Sequence, residues 1–202
     1  MTRLLVATKN PGKLREYQSL LDGLPVEWVS LQDVGLSALD VPETGVTFAE
    51  NASLKATAYA RASGLLTLAD DSGLEVDALG GAPGVWSARY AGPKASDEDR
   101  YRKLLAALAD TPADQRTARF RCVVAVATHA GVVETADGVC EGSIAFAPRG
   151  VNGFGFDPVF IVAGRDKTMA ELSAAEKNAI SHRGRALVAM RPILRRLLAA
   201  KA

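Results

Sequence analysis

The sequence predicts a mixed α/β fold of the α+β kind, with a twisted mixed sheet flanked by helices. Three observations predict it. Short apolar runs of strand character alternate with segments whose apolar residues recur at helical spacing. Ser/Thr-x-x-Glu sequences mark helix starts, and alternating apolar residues mark strands in the second half. Because no repeat or linker interrupts the 202 residues, we expect a single domain over residues 1–202.

In the first half, three strands are predicted to alternate with two helices. Leu4–Ala7 and Val26–Val29 have strand character, and the residues between them have apolar positions at helical spacing. Thr47 and Glu50 fit a capping box that opens a helix to about Ala62. The stretch GLLTLADDSG, residues 64–73, then predicts a buried strand that ends at two adjacent carboxylates, followed by a turn.

The second half predicts antiparallel strands between capped helices. Ser96 and Ser173 each begin a helix. In the final helix, Pro192 is expected to kink or split the apolar stripe. The predicted strands lie at 120–126, 132–135, 139–144 and 158–162.

Charge and composition exclude several classes of function. With a formal net charge of +1, the chain lacks the excess of basic residues that is typical of proteins that bind nucleic acid. No apolar segment reaches the length that spans a bilayer, and the N-terminus does not resemble a secretory signal. We therefore expect a cytoplasmic protein with both cysteines reduced, without a membrane partner. With two histidines in the chain, any metal should be a hard cation held by carboxylates.

The loop Thr8–Lys13, which joins a strand to a helix, is the first candidate site. Such a loop presents free backbone N–H groups and the positive end of the helix dipole, and Lys9 and Lys13 add charge. Gly12 permits close approach of a ligand. This pattern predicts a phosphate cradle, although Asn10-Pro11-Gly12 is equally consistent with an ordinary turn between solvated lysines.

The pair Asp70-Asp71 is the second candidate. Successive strand side chains point to opposite faces, so one carboxylate should be structural and the other should face a ligand. We assign Asp70 to capping the turn through Ser72 and Gly73, and Asp71 to chemistry.

Two further segments complete the set. In Gly153–Pro158, Phe154 lies among glycines where a flat ligand could stack on its ring, whereas Phe156 fits the core better. Glu176–Gly184 collects donors between two helical patterns, including a Ser-His-Arg-Gly break.

Taken together and in order, these motifs resemble the inosine/xanthosine triphosphate pyrophosphatase family, the purine "house-cleaning" nucleotide hydrolases. The resemblance runs from about Leu4 to about Leu187. The segments that carry it are Thr8–Lys13, Glu43–Gly45, Glu50–Ala52, Ala69–Gly73, Gly80–Gly84 with Ser87–Tyr90, Gly153–Pro158 and Ser181–Gly184.

The resemblance implies two lobes with a nucleotide cleft between them, a homodimer, and Mg²⁺-dependent hydrolysis of a purine nucleoside triphosphate to the monophosphate and pyrophosphate. It implies that Glu43 and Asp71 hold the metal, with Asp71 as catalytic residue. The implied substrate-binding residues are Thr8, Lys9, Asn10, Pro11, Gly12, Lys13, Lys55, Ser72, Phe154, Gly155, Phe156, Asp157, Lys177, His182 and Arg183. Many relatives carry glycine where this chain has Lys9.

Two questions stay open at this point. A carboxylate bound to Mg²⁺ is a poor base, so Asp71 is interpreted mainly as a ligand, with orientation of the attacking water as its second possible role. The function itself has rivals, namely a nucleotide sensor that does not hydrolyse its ligand and a pyrophosphatase for modified pyrimidines. The acidic pair Glu43 and Asp71 favours an enzyme, and Phe154 with His182-Arg183 favours a purine.

Overall fold

The computed structural model describes residues 1–200, which form six strands and five α-helices joined by short 3₁₀ turns. None of the helices in this part of the chain combines the length and apolar character needed to cross a bilayer. The elements are β1 (Thr2–Val6), α1 (Pro11–Leu20), β2 (Val26–Ser30), α2 (Phe48–Ser63), β3 (Leu66–Val76), α3 (Asp97–Ala107), β4 (Thr117–Thr128), β5 (Gly131–Ile144), β6 (Phe160–Val162), α4 (Ala174–Ile180) and α5 (His182–Ala199).

The strands form one mixed sheet in the order β2-β1-β3-β4-β5-β6, which confirms the predicted fold class. Strand β1 lies between β2 and β3 and is parallel to both, whereas β5 and β6 are antiparallel. The chain leaves β1 through α1 to β2, and then returns through α2 to β3 on the other side of β1. The order therefore reverses at the carboxyl end of β1, where it pairs with Leu66–Leu68 of β3, and such a reversal is the place where open α/β sheets bind ligands.

Two compact units share the chain. The first contains residues 1–71, 122–138 and those from Arg183 onwards, and the second contains 72–121 and 139–182. In the first unit, α1 and α5 pack on alternate residues of the strands. Leu4 and Val6 of β1, for example, share a core cluster with Tyr17 of α1 and Met190 of α5. This alternation assigns each side chain of β1 and β3 to one face of the sheet.

The second unit has its own core. Residues of α3, β4 and β6 pack together there, among them Leu104, Phe120 and Phe160, with the rings of Phe120 and Phe160 4.5 Å apart. Phe156 belongs to this cluster and is 4% exposed, which confirms the interpretation of its ring as core.

The predicted helix starts are confirmed. Thr47, Ser96 and Ser173 each accept a hydrogen bond from the backbone three residues on, and an acidic side chain at that third position bonds back to the cap. Such reciprocal bonds satisfy two backbone donors that a helix end leaves open.

Two details of the sequence prediction are wrong, and of the two outcomes expected at Pro192 the split is excluded. Strand β3 does not end at Asp70-Asp71, since it continues through Ser72 and Gly73 to Val76. The strands predicted at 132–135 and 139–144 are parts of the single strand β5. Helix α5 is not split, because Pro192 lies inside it. In each case, hydrogen bonds within the sheet or packing of the helix outweigh the local preference of these residues for a turn or a helix end.

Arg116 is a buried cation that ties the second unit together. It is 2% exposed, and its guanidinium donates to the carbonyl oxygens of Leu108, Ile144 and Ala145 at 2.7–2.9 Å and of Thr111 at 3.3 Å. The residue thus joins the C-terminal end of α3 to the end of β5. Carbonyl oxygens at a helix C-terminus carry partial negative charge, which offsets part of the cost of burying the cation.

We predict that Arg116→Met lowers the free energy of unfolding by about 3 kcal/mol, because it leaves buried carbonyls without donors. Arg121→Met, in the strand β4 that begins directly after Arg116, is the matched control, since Arg121 is 43% exposed and approaches Glu75 only at 3.9 Å. Urea unfolding followed by circular dichroism measures both. Equal stabilities of the two variants would contradict this role for Arg116.

Candidate functional site

The adjacent carboxylates of Asp70 and Asp71 lie on opposite faces of β3. Asp70 follows Leu66 and Leu68 at alternate positions and so faces α1 and α5, whereas Asp71 faces α2. Both residues are buried, at 4% and 7% exposure. The predicted division into one structural and one ligand-facing carboxylate therefore has a geometric basis.

On the first face, Asp70 is the centre of a buried ion network. Its Oδ2 accepts from Lys13 Nζ at 2.8 Å and from an Arg183 amino group at 3.3 Å. Arg183 also donates to Glu16 at 2.5 Å. Burial alone would raise the pKa of the Asp70 carboxyl, but Lys13 and Arg183 outweigh it and hold that pKa well below its usual range. The assignment of Asp70 to a turn cap is wrong, because the turn is absent and these cations take its place.

On the opposite face, Lys55 of α2 brings Asp71 and Glu43 together. Lys55 Nζ lies 2.5 Å from Glu43 Oε1 and 3.0 Å from Asp71 Oδ1. Burial raises the pKa of Asp71, with Lys55 opposing this effect. Burial would lower the pKa of Lys55, but the surrounding carboxylates, Asp71 first among them, raise it, so the ammonium stays charged.

Asn51 fixes this second cluster from α2. Its Nδ2 donates to Asp71 Oδ2 at 3.3 Å, while its Oδ1 accepts from the backbone of Gly45 at 2.8 Å. A Cβ on Gly45 would lie 2.6 Å from the Cβ of Glu50 and 2.7 Å from Asn51 Oδ1. Glycine is therefore required for the loop to approach α2 closely enough to bring Glu43 to Lys55.

The cluster around Lys55 has the donor chemistry of a magnesium site. Two carboxylate oxygens from separate segments converge on one cationic centre, the Lys55 ammonium, and hard oxygen ligands suit Mg²⁺. Within residues 1–200 no group of three or more acidic, histidine or cysteine side chains is placed to hold a metal. Two carboxylates are nevertheless enough where substrate phosphates complete the coordination, as is common for this ion.

The loop Thr8–Lys13 differs from the predicted cradle of free amides. Asn10 is the N-cap of α1, and its Oδ1 accepts from the backbone N–H groups of Gly12 at 2.8 Å and Lys13 at 3.1 Å. Thr8 Oγ1 accepts from the backbone of Asn10. An asparagine at this position satisfies the donors that we had expected to be open. The groups of this loop that could attract a phosphate are therefore its cationic side chains. Among them, Lys9 is exposed and pairs with Asp40 at 3.3 Å.

In the second unit, Phe154, Asp157 and Lys177 form a compact group. Lys177 Nζ donates to Asp157 Oδ2 at 2.7 Å and lies 4.5 Å from the centre of the Phe154 ring. The same carboxylate oxygen accepts from the backbone N–H of Phe154 at 2.9 Å. The group therefore holds an aromatic ring on a fixed backbone beside a buried ammonium, a surface on which a flat ring can stack.

The remaining predicted residues are placed as follows. His182 is 5% exposed and stacks on Phe120, with ring centres 4.7 Å apart and planes 15° apart. Ser72 is half-buried in β3. Arg183 lies in the ion network of the first unit.

Sequence reasoning missed Asn51 and Glu16 as members of these clusters. Asn51 is a fully buried amide within a helix, and a polar residue on an apolar face is a usable signal. Glu16 carries no such signal, because Arg183 is 167 residues away in sequence.

Comparison with known proteins places this geometry in one family. Residues 4–193 match the Ham1 family. A dITP/XTP pyrophosphatase of Geobacter sulfurreducens is 52% identical over 191 residues, covering 95% of this chain and 96% of that protein. A HAM1 protein structure from Coxiella burnetii has a TM-score of 0.88 at 45% identity, covering 97% of this chain and all of that one. A nucleoside-triphosphatase / dITP/XTP pyrophosphatase structure from Mycobacterium abscessus has a TM-score of 0.76 at 46% identity, covering 96% and 100%.

We predict that Asp70→Asn lowers the free energy of unfolding by about 3 kcal/mol, since it leaves Lys13 and Arg183 buried without their shared counter-charge. Asp40→Asn is the control, because the Asp40 side chain is 92% exposed and its pair with Lys9 contributes little. Chemical denaturation of both variants provides the measurement. A stable Asp70→Asn protein would show that the network is not required for the fold.

Proposed function

Because the chain belongs to the Ham1 family, we propose that it hydrolyses non-canonical purine nucleoside triphosphates such as ITP, dITP and XTP to the monophosphate and pyrophosphate. One observation carries the proposal. Glu43 and Asp71, from separate segments, converge on a single cationic position, and Asp71 follows directly on the part of β3 that pairs in parallel with β1. A protein that only binds a nucleotide does not require such an acidic pair.

We propose Mg²⁺ as the cofactor, held by the carboxylates of Glu43 and Asp71. Bound there, it would withdraw charge from the triphosphate oxygens. Asn51 keeps the Asp71 carboxylate in place through its amide, and Gly45 lets the loop bring Glu43 close. The main role of Asp71 is that of a ligand, with orientation of the attacking water as its second possible role, and Asn51 and Lys55 hold its carboxylate in place.

The cations of the first unit would receive the triphosphate. Lys9 and Lys55 are the candidates for direct contact, because Lys9 is exposed and Lys55 already binds the carboxylates at the proposed metal position. Lys13 is turned to Asp70 and holds α1 against β3. Water attacks the α-phosphorus, and the bond to the leaving pyrophosphate breaks.

Phe154 and the residues that hold its ring would receive the base. Phe154 offers a ring for stacking, which contributes about 1–3 kcal/mol for a nucleobase. Lys177 and Asp157 hold the ring and its backbone. Inosine and xanthosine present an acceptor oxygen at purine C6, to which His182 and Arg183 are the proposed donors.

Selectivity follows from this pattern of donors. Adenine presents an amine at C6. Because this amine is itself a hydrogen-bond donor, it could not accept from His182 or Arg183, and these buried donors would be left unpaired. A site built to hydrogen-bond can reject such a mismatch by roughly 10⁴–10⁵-fold. The homodimer, implied by the family resemblance, and the cytoplasmic location, expected from the sequence itself, stay predictions.

The reaction is tested by pyrophosphate release from a panel of nucleoside triphosphates with and without Mg²⁺. We predict release from dITP and XTP only with Mg²⁺, and little from dATP or dTTP. Asp71→Asn should lower kcat by about 10²–10³-fold, because it removes a charge from the reacting centre.

Asp40→Asn, which removes an exposed carboxylate, is the control and should keep full activity. Binding without pyrophosphate release in the wild type would indicate a nucleotide sensor. Preferential hydrolysis of pyrimidine substrates would instead indicate a pyrophosphatase for modified pyrimidines.

Base selectivity is tested at His182. We predict that His182→Ala lowers the preference for dITP over dATP by at least about 10-fold, because one donor to the C6 oxygen is lost. The Mg²⁺ requirement should not change. His129→Ala, at an exposed turn residue, is the matched histidine control. An unchanged preference in His182→Ala would exclude His182 from base recognition.

A further inference from the structure

A carboxylate outside the family motifs holds the loop that carries Phe154. Asp97 Oδ2 accepts a hydrogen bond from the backbone N–H of Gly155 at 2.7 Å, although the two residues are 58 positions apart. A short bond between an amide and a charged carboxylate is stronger than one between neutral groups. Asp97 thus fixes the peptide that directly follows the proposed stacking ring.

Two carboxylates hold two consecutive amides of this loop. Asp157 accepts from the N–H of Phe154 at 2.9 Å, and Asp97 accepts from that of Gly155. The ring lies between two glycines in the left-handed region, Gly153 at φ +77° and Gly155 at φ +65°. Glycine loses more conformational freedom on ordering than any other residue, so a ring flanked by two glycines depends on such anchors for its orientation.

Asp97 is itself well fixed. It is the first residue of α3. Its Oδ1 accepts a hydrogen bond from Arg100 Nη1 at 2.5 Å, while its Oδ2 accepts from the Gly155 amide of the loop. The helix start does not depend on it, because Ser96 and Asp99 form the capping box. The Asp97 side chain is also 44% exposed and lies outside the core. Its loss should therefore affect the loop and leave the fold intact.

We propose that Asp97 is a positioning residue for base binding, which orients the Phe154 ring by holding the Gly155 amide. This inference rests on the proposed function, in which Phe154 stacks on the base. Asp97 acts through the loop and does not touch the substrate. Since stacking contributes equally to the bound substrate and to the transition state, its loss should raise KM and leave kcat nearly unchanged.

The experiment compares Asp97→Ala, Asp97→Asn and Glu98→Ala. Asp97→Ala should raise the KM for dITP by about 10-fold, the effect of losing one charge-assisted hydrogen bond. Asp97→Asn keeps an acceptor oxygen and should restore most of the affinity. Glu98 is the matched control, since it lies in the same helix turn and pairs with exposed Arg102, so its loss changes the helix charge but not the loop.

A double-mutant cycle separates action through Phe154 from a general effect. Phe154→Ala should raise KM by itself, and adding Asp97→Ala to it should cause no further increase. A full additional increase in the double variant would overturn the proposal, as would an unchanged KM in Asp97→Ala.

Amide hydrogen exchange tests the contact without any turnover. Asp97→Ala should speed exchange at Gly155 by about 10-fold, and Glu98→Ala should not. If the wild type hydrolyses no purine triphosphate, the proposed function fails while this measurement still decides whether Asp97 orders the loop. Unchanged exchange at Gly155 would overturn the inference even in an active enzyme.

Discussion

Two adjacent buried carboxylates on one strand are the constraint on which the first unit depends. A buried charge without a partner costs several kcal/mol, so Asp70 and Asp71 each require a cation inside the fold. Because strand side chains alternate, these cations must come from opposite faces of β3. Lys13 of α1 and Arg183 of α5 serve one face, and Lys55 of α2 serves the other. Three helices are thereby fixed to one strand.

The same arrangement prepares the chemistry. On the face with Asp71, the carboxylates of Glu43 and Asp71, which come from separate segments, both contact the Lys55 ammonium. These are the two carboxylates that we propose as ligands of the divalent cation. On the face with Asp70, the carboxylate is paired with Lys13 and Arg183 of the protein itself. On the face with Asp71, we propose that Mg²⁺ replaces the Lys55 ammonium between the two carboxylates when the substrate binds.

Much of this could be predicted from the sequence, because the signals are local. Capping boxes and apolar periodicity predict the helices. The alternation of side chains along a strand predicts different roles for Asp70 and Asp71. The errors have a common cause. The residues Asp-Asp-Ser-Gly locally favour a turn, but sheet pairing and buried ion pairs continue β3 through them. The partners that decide this, Lys13 and Arg183, are 57 and 113 residues from Asp70, a distance at which one sequence carries no pairing information.

Asn10 shows the same limit in the proposed site. Its sequence context predicted open amides for a phosphate, whereas its side chain closes two of them as an N-cap. In the proposed site, the loop would therefore attract a phosphate through the exposed side chain of Lys9 rather than through its backbone. Asp97 was beyond prediction for another reason, since an acidic residue in a first helical turn is usually explained by the helix dipole alone.

A crystal structure with a divalent cation bound shows whether Glu43 and Asp71 share one ion, as we propose. Crystals grown with Mn²⁺ and a non-hydrolysable dITP analogue would show the ion by its anomalous scattering. We predict one peak bound by both carboxylates, with the Lys55 ammonium moved from between them to the phosphates. A peak bound by neither carboxylate, with Lys55 still joining them, would contradict it.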